Sequence, residues 1–307
     1  MDLPTVRPGL NVTMKRILLL GAQGQVGWEL RRSLAPLGDV TALDRHSTDF
    51  CGDISNLAGL AETVRRVAPH FIVNAAAYTA VDTAEAEPKL ANILNALAPG
   101  VLAQEASKLG ALLVHYSTDY VFDGTKDGAY VETDPTCPVN VYGSSKLAGE
   151  QAILASGVKH LILRTSWVYS THGKNFLLTM RRLAQERDAL NIVSDQFGAP
   201  TWSRTIADTT AHIVAQSLAA ADQQAWWEQY SGLYHLTAQG KTTWFGFAEA
   251  IMAHASVPKK PQLTPIPASA YPVPAQRPAN SALSSQKLID TFCGLPEWRD
   301  ALLLCQD

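Results

Sequence analysis

Tyr142 and Lys146 stand four residues apart in Y-G-S-S-K. On a helix, positions i and i+4 share one face, so a phenol and an ammonium would project together. An ammonium beside a phenol favours the phenolate and lowers its pKa from about 10. A tyrosine tuned in this way gives a proton to a developing alkoxide near neutral pH. Taken singly, the pair is common on helix surfaces. Upstream, S-T-D at 117–119 offers the Thr118 hydroxyl and the Asp119 carboxylate. Further upstream lies G-A-Q-G-Q-V-G, with Gly21, Gly24 and Gly27. Glycines there permit a tight turn and a close approach of backbone to a pyrophosphate. A helix starting at the turn adds free N–H groups and a favourable dipole. The spacing differs from the commoner G-x-G-x-x-G, and such a triplet is weak evidence without context. Asp44 follows about 20 residues on, where an acidic side chain binds the ribose hydroxyls of NAD and repels the phosphate of NADP. Arg45 beside it offers that phosphate a cation instead. Asp53 has two readings: a bond to the adenine amine, or a cap on a helix beginning near Asn56.

Elements must hold these groups in place. Short apolar runs predict strands at 16–21, 40–43, 71–74, 111–116 and 161–164. Amphipathic stretches predict helices at 25–37, 57–67, 89–109 and 142–154. Such alternation predicts right-handed crossovers and a doubly wound parallel sheet of α/β class, Rossmann-like, with helices on both faces. Ligands bind beyond the carboxyl ends of its strands, where N-A-A-A (74–77) and Y-S-T-D-Y (116–120) fall. After Trp167 regularity weakens. Helices are expected at 177–187, 205–218 and 244–254, with a strand at 233–236. The stretch 258–278, rich in Pro and Ser, reads as an extended wrapping segment anchored by Tyr271 and Val273. The expected division is an irregular leader at 1–13, a dinucleotide-binding domain at 14–168, and a smaller α+β substrate lobe at 169–307. Part of that lobe, about 202–236, returns to the first domain.

Composition excludes several classes. Of 307 residues, 47% are hydrophobic and 17% charged, which suits a globular chain. The formal charge of −3 and the lack of a long basic run argue against a nucleic-acid partner. No apolar run approaches the roughly 18 residues of a membrane span, so no membrane partner is expected. Cys51, Cys137, Cys293 and Cys305 form no C-x-x-C pair, and no H-E-x-x-H occurs. A reducing cytoplasm fits that usage, and neither zinc nor a disulfide scaffold does.

Seven segments run in order along the chain: G-Q-V-G-W-E-L (24–30), N-A-A-A-Y-T-A-V-D (74–82), Y-S-T-D-Y-V-F-D-G (116–124), N-V-Y-G-S-S-K-L-A-G-E (140–150), R-T-S-W-V-Y (164–169), D-Q-F-G-A-P-T (195–201) and R-P-x-N-S-x-L (277–283). Together they resemble the extended short-chain dehydrogenase/reductase family, whose members act largely on nucleotide sugars. The resemblance covers nearly the whole chain from Met14. It implies NADPH or NADH as cofactor. Gly21, Gly24, Gln25, Val26 and Gly27 would form the pyrophosphate turn, and Asp44, Asp53 and Ile54 would bind the adenosine half. Ala77, Tyr78 and Thr79 would border the cofactor. Lys146 would bind the nicotinamide ribose and keep Tyr142 acidic. Thr118 would hydrogen-bond the sugar carbonyl beside Tyr142, while Asp119 and Trp167 line the sugar site. The residue-level alternative for Trp167 is core packing.

In related 4,6-dehydratases the threonine is followed by an Asp–Glu pair that performs elimination. Here Thr118 is followed by Asp119 and Tyr120, so the second acid/base group is missing. Simple carbonyl reduction needs only a hydride, a proton donor and a hydroxyl on the oxygen. The implied reaction is therefore reduction of the 4-keto group of dTDP-4-dehydro-β-L-rhamnose to dTDP-L-rhamnose, the last step towards activated rhamnose for surface polysaccharide. Lys174, Asn175, Gln196 and Arg277 are candidates for the nucleotide diphosphate. Arg277 suits a phosphate geometrically, or fixes the wrapping segment through a carbonyl. Some relatives dimerise around Mg²⁺ held by glutamates. Glu29 matches one such position, but Arg204 stands where another glutamate is expected and opposes a cation. A differently built homodimer and a monomer both remain open. Two rivals stand: an NADP-binding regulatory subunit without catalysis, and a reductase or epimerase of another 4-keto sugar.

Overall fold

A computed structural model describes residues 14–254 and 260–306. The expected leader at 1–13 lies outside them. Five strands alternate with helices: β1 (Arg16–Leu20), β2 (Asp39–Leu43), β3 (Phe71–Asn74), β4 (Leu112–Thr118) and β5 (His160–Thr165). Four short strands follow, β6 (Val168–Tyr169), β7 (Ala189–Val193), β8 (Phe197–Gly198) and β9 (Thr201–Trp202). Then β10 (Gly232–His235) rejoins the main sheet, before β11 (Thr242–Thr243) and β12 (Gln262–Ile266). The main sheet is parallel throughout, in the order β10-β5-β4-β3-β1-β2. The chain's winding reverses at β1, which lies between β2 and β3 with Leu20 level with Leu43 and Asn74.

Alternate strand residues feed two cores. Ile17, Leu19, Phe71 and Val73 pack with Leu30, Ile213 and Trp227 on one face. Leu18, Leu20 and Ile72 pack with Leu60, Leu102 and Ile162 on the other. Each such side chain contributes about 1.5–3 kcal/mol when fully buried. Burial on both faces is why these strands read as unbroken apolar runs. The helix Ser203–Ala219 lies against Gln25–Ser33 through Ile206, Ala207 and Leu30, so this later segment packs on the sheet's own layer. A separate core gathers Tyr169, Leu177, Phe247, Trp298 and Leu302. Among the described residues, no helix is long and apolar enough to cross a membrane.

Several expectations need correction. The first helix ends at Ser33, and Ala35–Leu37 is a 3₁₀ turn, because Pro36 has no N–H to continue the ladder. The stretch 89–109 is not one helix. It runs as Pro88–Asn92, a π-helical turn at Ile93–Leu97, and Ala98–Leu109. Pro99 cannot donate to the Asn95 carbonyl, and a wider turn takes up the mismatch. Gly149 allows the approach there, since a Cβ would lie 2.1 Å from the Asn95 oxygen. The wrapping segment contains β12, paired in parallel with β7. Tyr271 and Val273 are 60% and 37% exposed and do not anchor it. Buried Ala275 does, its N–H donating to Asp82 Oδ1 at 3.2 Å.

Candidate active site

The glycine turn leaves β1 through Gly21, whose φ of +79° suits glycine, and whose Cβ would sit 2.6 Å from the Ala76 nitrogen. A Cβ on Gly27 would fall 2.0 Å from the Gly21 oxygen, so this glycine lets the helix Gln25–Ser33 lie on the turn. That helix begins at Gly24 with no side-chain cap. Its first N–H groups and dipole are therefore presented to an anion.

Beyond the carboxyl ends of β1, β3 and β4 opens a crevice of about 550 Å³. Gly21, Gly24, Gln25 and Val26 line one wall. Asp44, Arg45, Asp53 and Ile54 line the next, and Ala77 and Thr79 a third. Tyr142 and Lys146 close the far end. Asp44 Oδ1 accepts from the His46 N–H at 2.7 Å. Asp53 Oδ1 takes the Ser55 N–H and hydroxyl at 2.9 and 2.8 Å, while Asn56, not Asp53, caps the helix Leu57–Val67. Tyr78 turns aside: its hydroxyl donates to Glu87 at 2.6 Å. Its backbone N–H and carbonyl are held by the buried Asn95 amide, which also donates to Ser145. The π turn thus ties the N-A-A-A loop to the helix carrying Tyr142. Asn95 was not among the sequence candidates; Pro99 four residues later was the available signal.

The helix Val141–Ala155 starts at Asn140, which caps it by accepting from the Gly143 N–H at 2.8 Å. Tyr142 and Lys146 share its inner face. Lys146 Nζ donates to the Tyr116 carbonyl at 2.6 Å and lies 3.2 Å from His115 Nε2. Burial pulls the Lys146 ammonium down to about 8, against an opposing pull from Glu150. Glu150, one turn on, forms a buried two-point pair with Arg164 of β5. The i+4 spacing placed Glu150 on the face of Lys146, but its partner Arg164 on β5 was not legible from it.

The expectation that Lys146 keeps the phenol acidic is corrected. Burial pushes Tyr142 up to about 12, while the nearby Thr118 hydroxyl pulls down and Asp119 pushes up. The group is a protonated phenol beside a depressed amine, and a protonated phenol is what an alkoxide requires. Thr118 is 5% exposed, accepts from the Tyr120 N–H at 3.2 Å and donates to Asp119 Oδ1 at 2.9 Å. Asp119 is 2% exposed, and neither it nor Thr118 is among the residues lining the crevice, whereas Ser117 is. Burial raises the Asp119 carboxyl to about 7, against the pull of the nearby Ser281 and Thr118 hydroxyls. Tyr120 sets its ring edge against Tyr142 at 5.7 Å, and burial pushes its phenol above the usual range. The chain position after Asp119 therefore holds no carboxylate.

A known family accounts for this arrangement. The RmlD substrate binding domain family matches residues 14–307. The dTDP-4-dehydrorhamnose reductase of Burkholderia thailandensis is 53% identical over 297 residues, covering 94% of this chain and 97% of that one. The protein of that name from Escherichia coli K12 is 51% identical over 288 residues, covering 92% and 94%. The chain belongs to the dTDP-4-dehydrorhamnose reductase family. A crystal structure of a dTDP-4-dehydrorhamnose reductase from Bacillus anthracis in complex with NADP is similar at TM-score 0.86 and 33% identity, covering 95% and 98%.

The remaining candidates of this reductase-family chain fall in varied places. Trp167, at a positive φ of 46°, stacks on Trp244 with ring centroids 3.7 Å apart. A Cβ on Gly198 would strike its indole at 2.5 Å. A left-handed backbone at a bulky residue is costly, and such strain concentrates at ligand sites. Asn175 is not free for a diphosphate: its Oδ1 caps the helix Phe176–Glu186 and its Nδ2 donates to the Ser170 carbonyl at 2.8 Å. Arg277 Nη2 donates to Asp82 at 2.8 Å, a carboxylate and not the carbonyl considered from sequence, while its Nη1 is buried without a partner among the described residues. Lys174 is exposed and Gln196 half-buried. Glu29 is buried and bonded to Arg32 at 2.7 Å. Arg204 lies over Trp202 and 3.8 Å from Asp208.

Proposed function

We infer that the protein reduces the 4-keto group of dTDP-4-dehydro-β-L-rhamnose, using NADPH or NADH, to give dTDP-L-rhamnose. One observation carries the reading: Tyr142 and Lys146 share a crevice with a glycine turn and an uncapped helix start. The cradle suits a dinucleotide. Gly21 and Gly27 leave room that a Cβ would fill, and Gln25 Oε1 is buried without a partner among the described residues. Gly24, Gln25 and Val26 would hold the pyrophosphate, Asp44, Asp53 and Ile54 the adenosine half, and Lys146 the nicotinamide ribose.

When bound, the reduced nicotinamide supplies the hydride for carbon 4. Every other requirement falls on this chain. Tyr142 and Thr118 bond the keto oxygen, and Tyr142 gives its proton as the oxygen becomes an alkoxide. Thr118 has a single hydroxyl proton, directed at Asp119 in this structure, and rotation turns it to the substrate. Lys146, near 8, is mainly ammonium at neutrality with about a tenth as amine, and so can return a proton to Tyr142. Trp167 and Trp244 would form a flat wall for the hexose. A cytoplasmic place before surface-polysaccharide assembly follows from this chemistry.

The test is turnover of the keto-sugar nucleotide with each nicotinamide, followed by absorbance, with the product's carbon-4 configuration assigned by NMR. Nicotinamide oxidation with dTDP-L-rhamnose as product supports the reading. No consumption, or a product epimeric at carbon 4, overturns it.

A further inference from the structure

Behind the phenol, β3, β4 and the helix Val141–Ala155 enclose a row of buried polar groups. Asn74, His115 and Lys146 are 1%, 1% and 2% exposed. Asn74 Oδ1 accepts from the Ala76 N–H at 3.2 Å, which leaves Nδ2 facing His115 Nδ1 at 3.0 Å. An amide nitrogen can only donate, so His115 Nδ1 accepts and carries no proton. Burial, with Lys146 nearby, holds the imidazole well below the usual histidine range, so the ring is neutral. Its one proton therefore sits on Nε2, which faces Lys146 Nζ at 3.2 Å. An ammonium would meet that N–H donor to donor, whereas an amine can accept from it. The reverse arrangement requires the Asn74 amide to turn over and set its NH₂ against the Ala76 N–H.

We propose that Asn74 and His115 are positioning residues: by fixing the imidazole tautomer they present Nε2–H to Lys146 and stabilise the amine left when Lys146 passes a proton to Tyr142. The proposal rests on the reductase reading above. The protons balance as follows. Tyr142 loses its proton to the alkoxide, the Lys146 ammonium reprotonates the phenolate, and water entering the crevice restores the ammonium. Other charged groups face Lys146 from fixed positions. Glu150 lies on its own helix, paired with Arg164 of β5 and still pulling Lys146 up, and Asp119 acts on Tyr142. On the facing segment Asp82, Glu85 and Glu87 are bonded to Arg277, the Val141 N–H and Tyr78. No second group offers Lys146 a neutral donor among the hydrogen bonds of the described residues.

Nitrogen NMR of the imidazole and of the Lys146 ammonium tests this on the purified protein, without turnover. The expected wild-type result is a protonated Nε2 and a bare Nδ1. Asn74→Asp has nearly the same shape but accepts, so the tautomer reverses and Nε2 accepts from the ammonium. The Lys146 titration should then move up by about one pH unit, a tenfold change in the amine-to-ammonium ratio. The alkaline limb of kcat/KM should move with it. His115→Gln, whose amide reaches towards Lys146, should keep the wild-type midpoint; His115→Asn, too short to reach, should raise it. A merely structural role would lower stability and leave all midpoints in place. A wild-type ring protonated at Nδ1, or an unmoved midpoint in both Asn74→Asp and His115→Asn, overturns the proposal. A limb that stays put while the NMR midpoint moves also overturns it. If the NMR results hold while wild type consumes no keto sugar, the reductase reading fails and the tautomer device stands.

Discussion

Replacing Arg164 by Leu should destabilise the fold strongly, and in a pH-dependent way. Arg164 Nε and Nη2 meet the Glu150 carboxylate at 2.8 and 2.6 Å, and the side chains are 4% and 2% exposed. The substitution strands a buried carboxylate, which costs about 3–5 kcal/mol. Loss of the contact with Phe122, 5.1 Å from the guanidinium carbon, adds about 1 kcal/mol. Against this, Arg164 Nη1 is buried without a partner among the described residues, and its removal returns about 1–3 kcal/mol. The net expectation is a loss of about 3 kcal/mol at pH 7. At about 2 °C per kcal/mol for a chain of this length, Tm falls by roughly 6 °C. In the variant the buried carboxylate loses its counter-charge, and taking up a proton relieves it. A raised folded pKa gives stability that is present below the unfolded value and lost as pH rises, so the deficit should shrink towards pH 4. Replacing both partners by Leu leaves no stranded charge and should recover most of the loss. Calorimetry and urea unfolding at pH 7 and pH 4.5 measure this. A single-variant loss below about 1 kcal/mol, or a deficit that grows on acidification, would refute the reasoning.

Other outcomes follow from the same geometry. Gly27→Ala places a methyl 2.0 Å from the Gly21 oxygen, so the helix must shift off the turn; nicotinamide affinity by fluorescence titration should fall at least tenfold. Asp44→Ala should weaken NADH relative to NADPH, and an unchanged ratio of dissociation constants would remove Asp44 from the ribose site. The hydrogen bonds from Arg65 and Lys108 hold Glu105 at about 2, against its burial. A lowered folded pKa gives stability present above the unfolded value and lost as pH falls. Glu105→Gln should therefore be less stable than wild type at pH 7, with the gap in urea midpoints closing between about pH 4.5 and 2.

The sheet was legible because its strands are buried on both faces, and four-residue runs such as Phe71–Asn74 have no competing period. The face shared by Tyr142 and Lys146 followed from helical spacing alone. Other features depended on partners distant in sequence. β12 pairs with β7 across some seventy residues, and its Gln262, Thr264 and Pro265 hide it as a strand. The π turn follows from Pro99 together with Gly149 on another helix. His115 reads as one more residue of a buried strand until Asn74 and Lys146 are placed beside it. Asn175 looked like a free polar group, because nothing local reveals that it caps a helix. The acidity expected of Tyr142 failed for a related reason: spacing reports proximity, and burial decided the sign.

The most direct measurement compares wild type with Tyr142→Phe, which keeps the ring and removes the hydroxyl. With the keto-sugar nucleotide and the preferred nicotinamide, turnover should fall by about 10²-fold or more while cofactor affinity stays within about twofold. Undiminished turnover in the phenylalanine variant would contradict the account, because a group other than Tyr142 would then be supplying the proton to the sugar oxygen.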